Sequence, residues 1–168
     1  MNNFKKAALA SLVFAAIGTA QAADPQATVV WSGVIPDASF GDTLLITGLN
    51  GDLSAQTGAL TPNADGTFNS ETIVLEARNN DGSVDTPVVG DLVNADWTIA
   101  NSAISYDGVS LTDAVLEVAI DGTQVVDTAA AATGVQTIGL SVAQASPLSD
   151  VGGSTVQASV TVLAKTAL

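Results

Sequence analysis

The last part of the chain alternates without a break. Val156, Ala158, Val160 and Val162 fall on one face of an extended segment, and Thr155, Gln157, Ser159 and Thr161 on the other. Period-two alternation over eight residues predicts a half-buried strand, with Gly152-Gly153 ahead of it as a hinge or bulge. An ordinary closing strand of a sandwich accounts for this pattern by itself. A second alternating stretch lies near the other end of the chain. Val29, Trp31, Gly33 and Ile35 share one face there, and Val30, Ser32 and Val34 the other. A glycine within a strand often marks a close backbone approach. Bulky Trp31 followed by bare Gly33 therefore fits a groove that is deep at one point and shallow two residues later.

Between these stretches the chain reads as short strands punctuated by turns. Thr43 to Thr47 and Thr72 to Ala77 are buried apolar runs, and Trp97 to Ala100 and Ala103 to Tyr106 are shorter ones. Val115 to Ile120 places Leu116, Val118 and Ile120 on one face, and Thr137 to Ala143 does the same with Ile138, Leu140 and Val142. Five Asx-Gly pairs separate the runs: Asn50-Gly51, Asp65-Gly66, Asp81-Gly82, Asp107-Gly108 and Asp121-Gly122. Both residues of such a pair tolerate positive φ and suit tight turns. Strands at this spacing predict an all-β sandwich. Asp127 to Thr133, with four consecutive alanines, reads equally as a short helix or as a connecting turn or loop. No internal repeat or linker divides the body.

The first residues set the compartment. Lys5 and Lys6 precede an uncharged apolar run, Ala7 to Ala20, which ends in the small-x-small site Ala20-Gln21-Ala22. That order predicts a secretory signal over residues 1–22, cleaved before Ala23. The run is shorter than the ~20 residues of a membrane span, and the mature chain carries no other candidate span. All 17 acidic residues lie beyond the signal, but only Arg78 and Lys165 of the four basic ones do. So acidic a surface repels phosphate backbones, which excludes nucleic acid as a partner. A hydrophobic content of 47% and a mean hydropathy of +0.40 argue for a packed core rather than disorder. Cysteine is absent, so core packing and sheet ladders must hold the domain.

Catalysis finds little support. Without histidine or cysteine the chain lacks the commonest general base, thiol nucleophiles and typical zinc ligands. The carboxylates sit mostly at turn positions, where Asp is a good turn residue. Asn79-Asn80-Asp81-Gly82-Ser83-Val84-Asp85 faintly resembles a calcium loop but lacks the ordered ligands and distant glutamate of one. A solvated acidic turn is the better reading. The chain is expected not to be an enzyme and to need no cofactor or metal.

Taken together, the signal, the Trp31-Ser32-Gly33-Val34-Ile35 run and the alternating last strand make the chain resemble a fimbrial subunit (pilin) of the chaperone–usher type. In that family an exported aromatic-x-Gly-x-aliphatic segment precedes an incomplete immunoglobulin-like β-sandwich. Phe40, after Pro36-Asp37-Ala38-Ser39, stands where many members carry their first cysteine. Thr72-Ile73-Val74-Leu75 looks like the strand before the second, and Gly153 to Val162 like the last pilin strand. Both cysteines are missing here, as is the aromatic residue many members carry beside the C-terminus, where Leu163-Ala164-Lys165-Thr166-Ala167-Leu168 stands. The likeness is to a divergent, cysteine-free branch.

The resemblance implies a donor segment at residues 23–36, with Val29, Trp31, Gly33 and Ile35 as donor-strand residues, and a sandwich domain at 37–168. Val156, Ala158, Val160 and Val162 would edge the acceptor groove. The implied partners are identical subunits in a homopolymer, a periplasmic chaperone and an outer-membrane usher. The implied location is a surface fimbria, reached through the periplasm, that supports adhesion or biofilm formation. The alternative from a different class is a complete, monomeric, secreted or matrix β-sandwich that binds a ligand through its loops. On the pilin reading residues 27–35 leave the body of their own chain or pair weakly with it, and an apolar groove lies beside Val156 to Val162.

Overall fold

The computed structural model describes residues 43–167, and the signal and the segment bearing Val29, Trp31, Gly33 and Ile35 lie outside the described residues. The described residues form eleven strands, in order β1 (Leu44–Gly48), β2 (Leu60–Pro62), β3 (Phe68–Ser70), β4 (Ile73–Asn80), β5 (Val89–Leu92), β6 (Ala95–Tyr106), β7 (Glu117–Ile120), β8 (Thr123–Gln124), β9 (Ala132–Val135), β10 (Thr137–Gln144) and β11 (Val156–Thr166). Every pairing is antiparallel, and the strands form two sheets. The chain is an all-β sandwich.

The larger sheet is built around β4 and β10. Strand β1 runs along one edge of β4, from Leu44 opposite Asn79 to Gly48 opposite Leu75. Along the other edge β4 meets β10 and then β5. Leu140 of β10 faces Ile73 of β4 and Ile120 of β7, so β7 takes the far edge of β10, with β8 beyond it. Where β4 leaves β10, β3 takes its place and carries β2. The smaller sheet has the order β11-β6-β9.

Alternation decides what faces the core. Leu75 and Ala77 of β4, Val118 and Ile120 of β7, and Ile138, Leu140 and Val142 of β10 are buried from one sheet. Trp97, Ile99, Ile104 and Tyr106 of β6 meet them from the other, with Val156, Ala158 and Val160 of β11. Trp97 is fully buried and donates its indole N–H to the Val135 carbonyl at 3.0 Å. Burial of its ring with that polar atom satisfied makes Trp97 the largest anchor of the core. Tyr106 likewise donates its hydroxyl to the Gly66 carbonyl at 2.7 Å, and burial pushes its phenol above the ordinary value.

Two expectations are corrected, and one left open is resolved. The separate strands at 97–100 and 103–106 are one strand, β6, with a break in register. Thr161 pairs with Asn101 but Val162 pairs with Ile99, which leaves Ala100 unpaired as a bulge. An extra residue reverses which parity faces inward: Ala95, Trp97 and Ile99 are buried before it, and Ile104 and Tyr106 after it. The alanine run yields a 3-10 turn at Thr128–Ala130, capped by Asp127 Oδ1 on the Ala129 N–H, and then the strand β9. Gly152-Gly153 belongs to a turn rather than a bulge in β11, with Asp150 at φ 60° and Gly153 at φ 86°.

Three of the five Asx-Gly pairs hold both residues at positive φ: Asn50-Gly51, Asp107-Gly108 and Asp121-Gly122. This is the two-residue turn whose twist suits antiparallel strands. Asp121-Gly122 closes the β7–β8 hairpin. In Asp65-Gly66 only the glycine is left-handed, at φ 82°, and Asp81-Gly82 is not left-handed at all.

Candidate functional site

The two long sides of the sandwich are built differently. On one side the chain itself passes from sheet to sheet. Val93 and Asn94 link β5 to β6, and Gln136 links β9 to β10. Hydrogen bonds lace these crossings to β4: Ala77 N–H donates to the Gln136 carbonyl at 2.8 Å, and Val93 N–H to the Ala77 carbonyl at 2.9 Å. That side is closed.

The opposite side ends in β1 of the larger sheet and β11 of the smaller. These strands lie against each other across the sandwich, and among the described residues neither has a partner on its outer edge. Each pairs inward only, β1 with β4 and β11 with β6. Strand β11 spans eleven residues, a free edge of about 35 Å at ~3.3 Å per residue. Alternate N–H and C=O groups along such an edge have no ladder partner, which makes it a template for another strand. The other edges are short: β2 is three residues long and ends in Pro62, β8 is two residues long, and β5 and β9 are four residues each.

The residues expected to line an acceptor groove divide along β11. Val156, Ala158 and Val160 are buried, with relative exposures of 2%, 6% and 8%. Val162, and Ala164 two residues further on, face the same core but are only partly buried. Leu163, on the outer face between them, is 44% exposed. Apolar surface therefore remains uncovered at the C-terminal half of β11 rather than evenly along it. Sequence reasoning ended the edge at Val162 because the strict Val/Thr alternation ends there. Ala164 was missed, its only signal being that it keeps the parity.

One end of β1 is held by a buried carboxylate that the sequence did not single out. Glu76 lies opposite Thr47 and is 4% exposed. Its Oε1 accepts the Asn50 N–H at 3.1 Å, and its Oε2 accepts the Gly51 N–H at 3.0 Å and Arg78 Nε at 2.7 Å. Consecutive N–H groups in left-handed conformation form a natural anion cradle. Arg78 in turn donates to the Gly90 carbonyl at 3.0 Å, so the network joins the β1 turn to β4 and β5. Burial alone would push the Glu76 carboxyl up, but Arg78 and the two N–H groups outweigh it and hold it below its ordinary 4.5. A depressed carboxyl contributes stability that is fully present above that value and is lost as pH falls through the folded one. Denaturant midpoints measured from pH 6 to pH 2 are expected to fall below about pH 4.5. Glu76→Gln should cost about 1–3 kcal/mol at neutral pH and flatten part of the acid limb. An unchanged limb would remove Glu76 from the account.

Elsewhere the surface carries little organised chemistry. The loop read as a faint calcium mimic is a self-bonded turn: Asn80 Oδ1 accepts the N–H groups of Gly82 and Val88, and Ser83 and Thr86 join hydroxyls at 2.9 Å. A shallow cavity of about 340 Å³ on the outer face of β6 and β11 is lined by Ala103, Ser105, Ser110, Gln157 and Ser159, with no titratable group. Among the described residues no helix is long and apolar enough to cross a membrane. No protein-family model, curated protein or solved structure compared with the chain matches it.

Proposed function

We propose that this chain is the exported structural subunit of a homopolymeric surface fibre, a fimbria whose subunits join by strand exchange. The observation that carries the reading is the asymmetry of the sandwich: one side is closed by its own crossings, and the other ends in β1 and β11, whose outer edges have no partner among the described residues. A strand laid along β11 would gain main-chain bonds, and its alternate side chains would cover the core between the sheets. The segment bearing Val29, Trp31, Gly33 and Ile35 has the alternation such a strand needs. Burying Val29, Trp31 and Ile35 at ~1.5–3 kcal/mol each contributes roughly 5–9 kcal/mol before ladder bonds and ordering costs. Each subunit would give one strand and receive another. That contact is heterologous and does not close, so it generates a filament.

The pilin resemblance supplies the remaining partners. A periplasmic chaperone would cover the open edge before assembly, and an outer-membrane usher would pass subunits to the cell surface, where the fibre supports adhesion or biofilm formation. The fold requirement is for an incomplete immunoglobulin-like sandwich, and its missing strand is the donated one.

The test compares the chain from Ala23 onward with a version lacking residues 23–36, by size-exclusion chromatography and negative-stain electron microscopy. Filaments from the first and folded monomers from the second are expected. Two monomeric proteins of equal stability would favour the secreted monomeric sandwich.

A further inference from the structure

We propose that the outer face of the smaller sheet is a self-complementary docking surface, through which two copies of the chain pack face to face with their β11 strands antiparallel. The contact goes beyond strand exchange and does not depend on it, because a strand laid along the edge of β11 leaves the outer face open.

Charge is the first observation. Beyond residue 22 the chain carries 17 acidic residues against Arg78 and Lys165, so like copies repel one another over most of their surface. Residues 101–105 of β6 and 157–163 of β11 present no charged side chain, only hydroxyl, carboxamide and apolar groups. Lys165 lies exposed at one end of this neutral face. Among the described residues the only ion pair is Arg78–Glu76. Asp96, opposite Lys165 in the ladder, accepts the Gly134 N–H instead. The opposite end of the face is acidic: Asp107 follows β6 there, and its Oδ1 accepts the Thr155 N–H at 2.8 Å.

Shape is the second observation. Leu163, the one large apolar side chain on the outer face of β11, is 44% exposed. Nearer the Asp107 end lies the shallow cavity of about 340 Å³ lined by Ala103, Ser105, Gln157 and Ser159. A two-fold axis near Val160 and Thr161, with the strands antiparallel, sets positions 165 and 163 of one copy over positions 155 and 157 of the other. Lys165 then meets Asp107, and Leu163 enters the cavity. Each contact is made twice, as an isologous interface requires. With the strands parallel, Lys165 would face Lys165 and both cavities would stay empty.

The area is modest. Two long strands spaced ~4.8 Å apart, with short β9 beside them, offer about 400 Å² on each copy. That is the low end of specific interfaces, where contacts are transient. Dilute copies therefore stay apart, and the contact shows at high concentration or where a fibre repeats the face many times.

Lys165 is the sole lysine beyond residue 22, which makes the contact directly readable. Within one chain Lys165 and Asp107 lie at opposite ends of β6, about 35 Å apart at ~3.3 Å per residue. A zero-length link between them can join only two copies. Carbodiimide is added to a concentrated mixture of isotope-labelled and unlabelled chains beginning at Ala23, and the linked peptides are identified by mass spectrometry. Lys165–Asp107 links between labelled and unlabelled copies are expected, with the Lys165–Asp96 link within a chain as the internal control. Leu163→Ser should lower the yield between copies at least about tenfold. Thr161→Glu, which sets a carboxylate of each copy near the two-fold axis, should do the same, and circular dichroism checks that both variants fold. Val126→Ser, which removes an exposed apolar side chain elsewhere, should change nothing. Links from Lys165 to other carboxylates of a second copy, no link between copies, or an undiminished yield from Leu163→Ser overturns the proposal. Retention on an uncharged polysaccharide matrix without links between copies would overturn it too, in favour of a carbohydrate on this face. Filaments, or their absence, do not bear on the result.

Discussion

Trp31→Ala and Trp97→Ala should fail in opposite ways. Trp97 is fully buried within its own chain and its indole N–H is bonded to Val135. Truncating such a residue costs about 3–5 kcal/mol through lost burial and the cavity left behind, and it also frees the carbonyl that ties β9 to β6. The variant should lose that much folding stability in denaturant titrations and yield little folded subunit. On the proposed strand exchange Trp31 packs in the neighbouring subunit, so Trp31→Ala should leave the monomer's unfolding midpoint nearly unchanged. Its loss, of similar size, should appear in assembly, as an absence of filaments or as filaments that dissociate on dilution. If Trp31→Ala unfolds the monomer as badly as Trp97→Ala does, Trp31 belongs to its own core and the monomeric sandwich is the better account.

Gly33→Leu should abolish polymerisation without touching the body. On the proposed strand exchange Gly33 meets a shallow point of the acceptor groove, and a leucine there would need space that a fitted groove does not leave. Overpacking a fitted site costs about 1–3 kcal/mol or more, and the clash falls midway along a strand that must pair residue by residue. Turbidity or electron microscopy of matched preparations reads the effect, with circular dichroism as the check on folding. Wild-type filament yield from this variant would show that no close fit is made at position 33.

The parts of the fold legible in the sequence are those that local alternation controls. Strands β7, β10 and β11 follow from their period, because each has one face on the core and one outside. Strand β6 was legible only in pieces. Its bulge at Ala100 reverses the inward parity, so Trp97 and Ile104 read as different strands although one ladder to β11 runs through both. Strand β9 was hidden by the alanines before it. Nothing local makes Ala132–Val135 extended; pairing with Ala95 and Trp97 does. The buried Glu76 was illegible for a similar reason, since its partners at Asn50 and Gly51 lie 26 and 25 residues away.

The candidate site divides along the same line. Alternation identified the face of β11 that carries Val156, Ala158, Val160 and Val162, but period two says nothing about who stands beside a strand. That β11 ends a sheet, and does so next to β1, depends on the order of strands in both sheets. The concentration of uncovered surface at Val162 and Ala164 is likewise a property of packing.

The most direct measurement is a helical reconstruction, by cryo-electron microscopy, of filaments grown from the chain beginning at Ala23. The account predicts a continuous strand along the outer edge of β11, with its density traced to residues 29–35 of the adjacent subunit. An outer edge of β11 that is bare, or filled by the subunit's own chain, would contradict it.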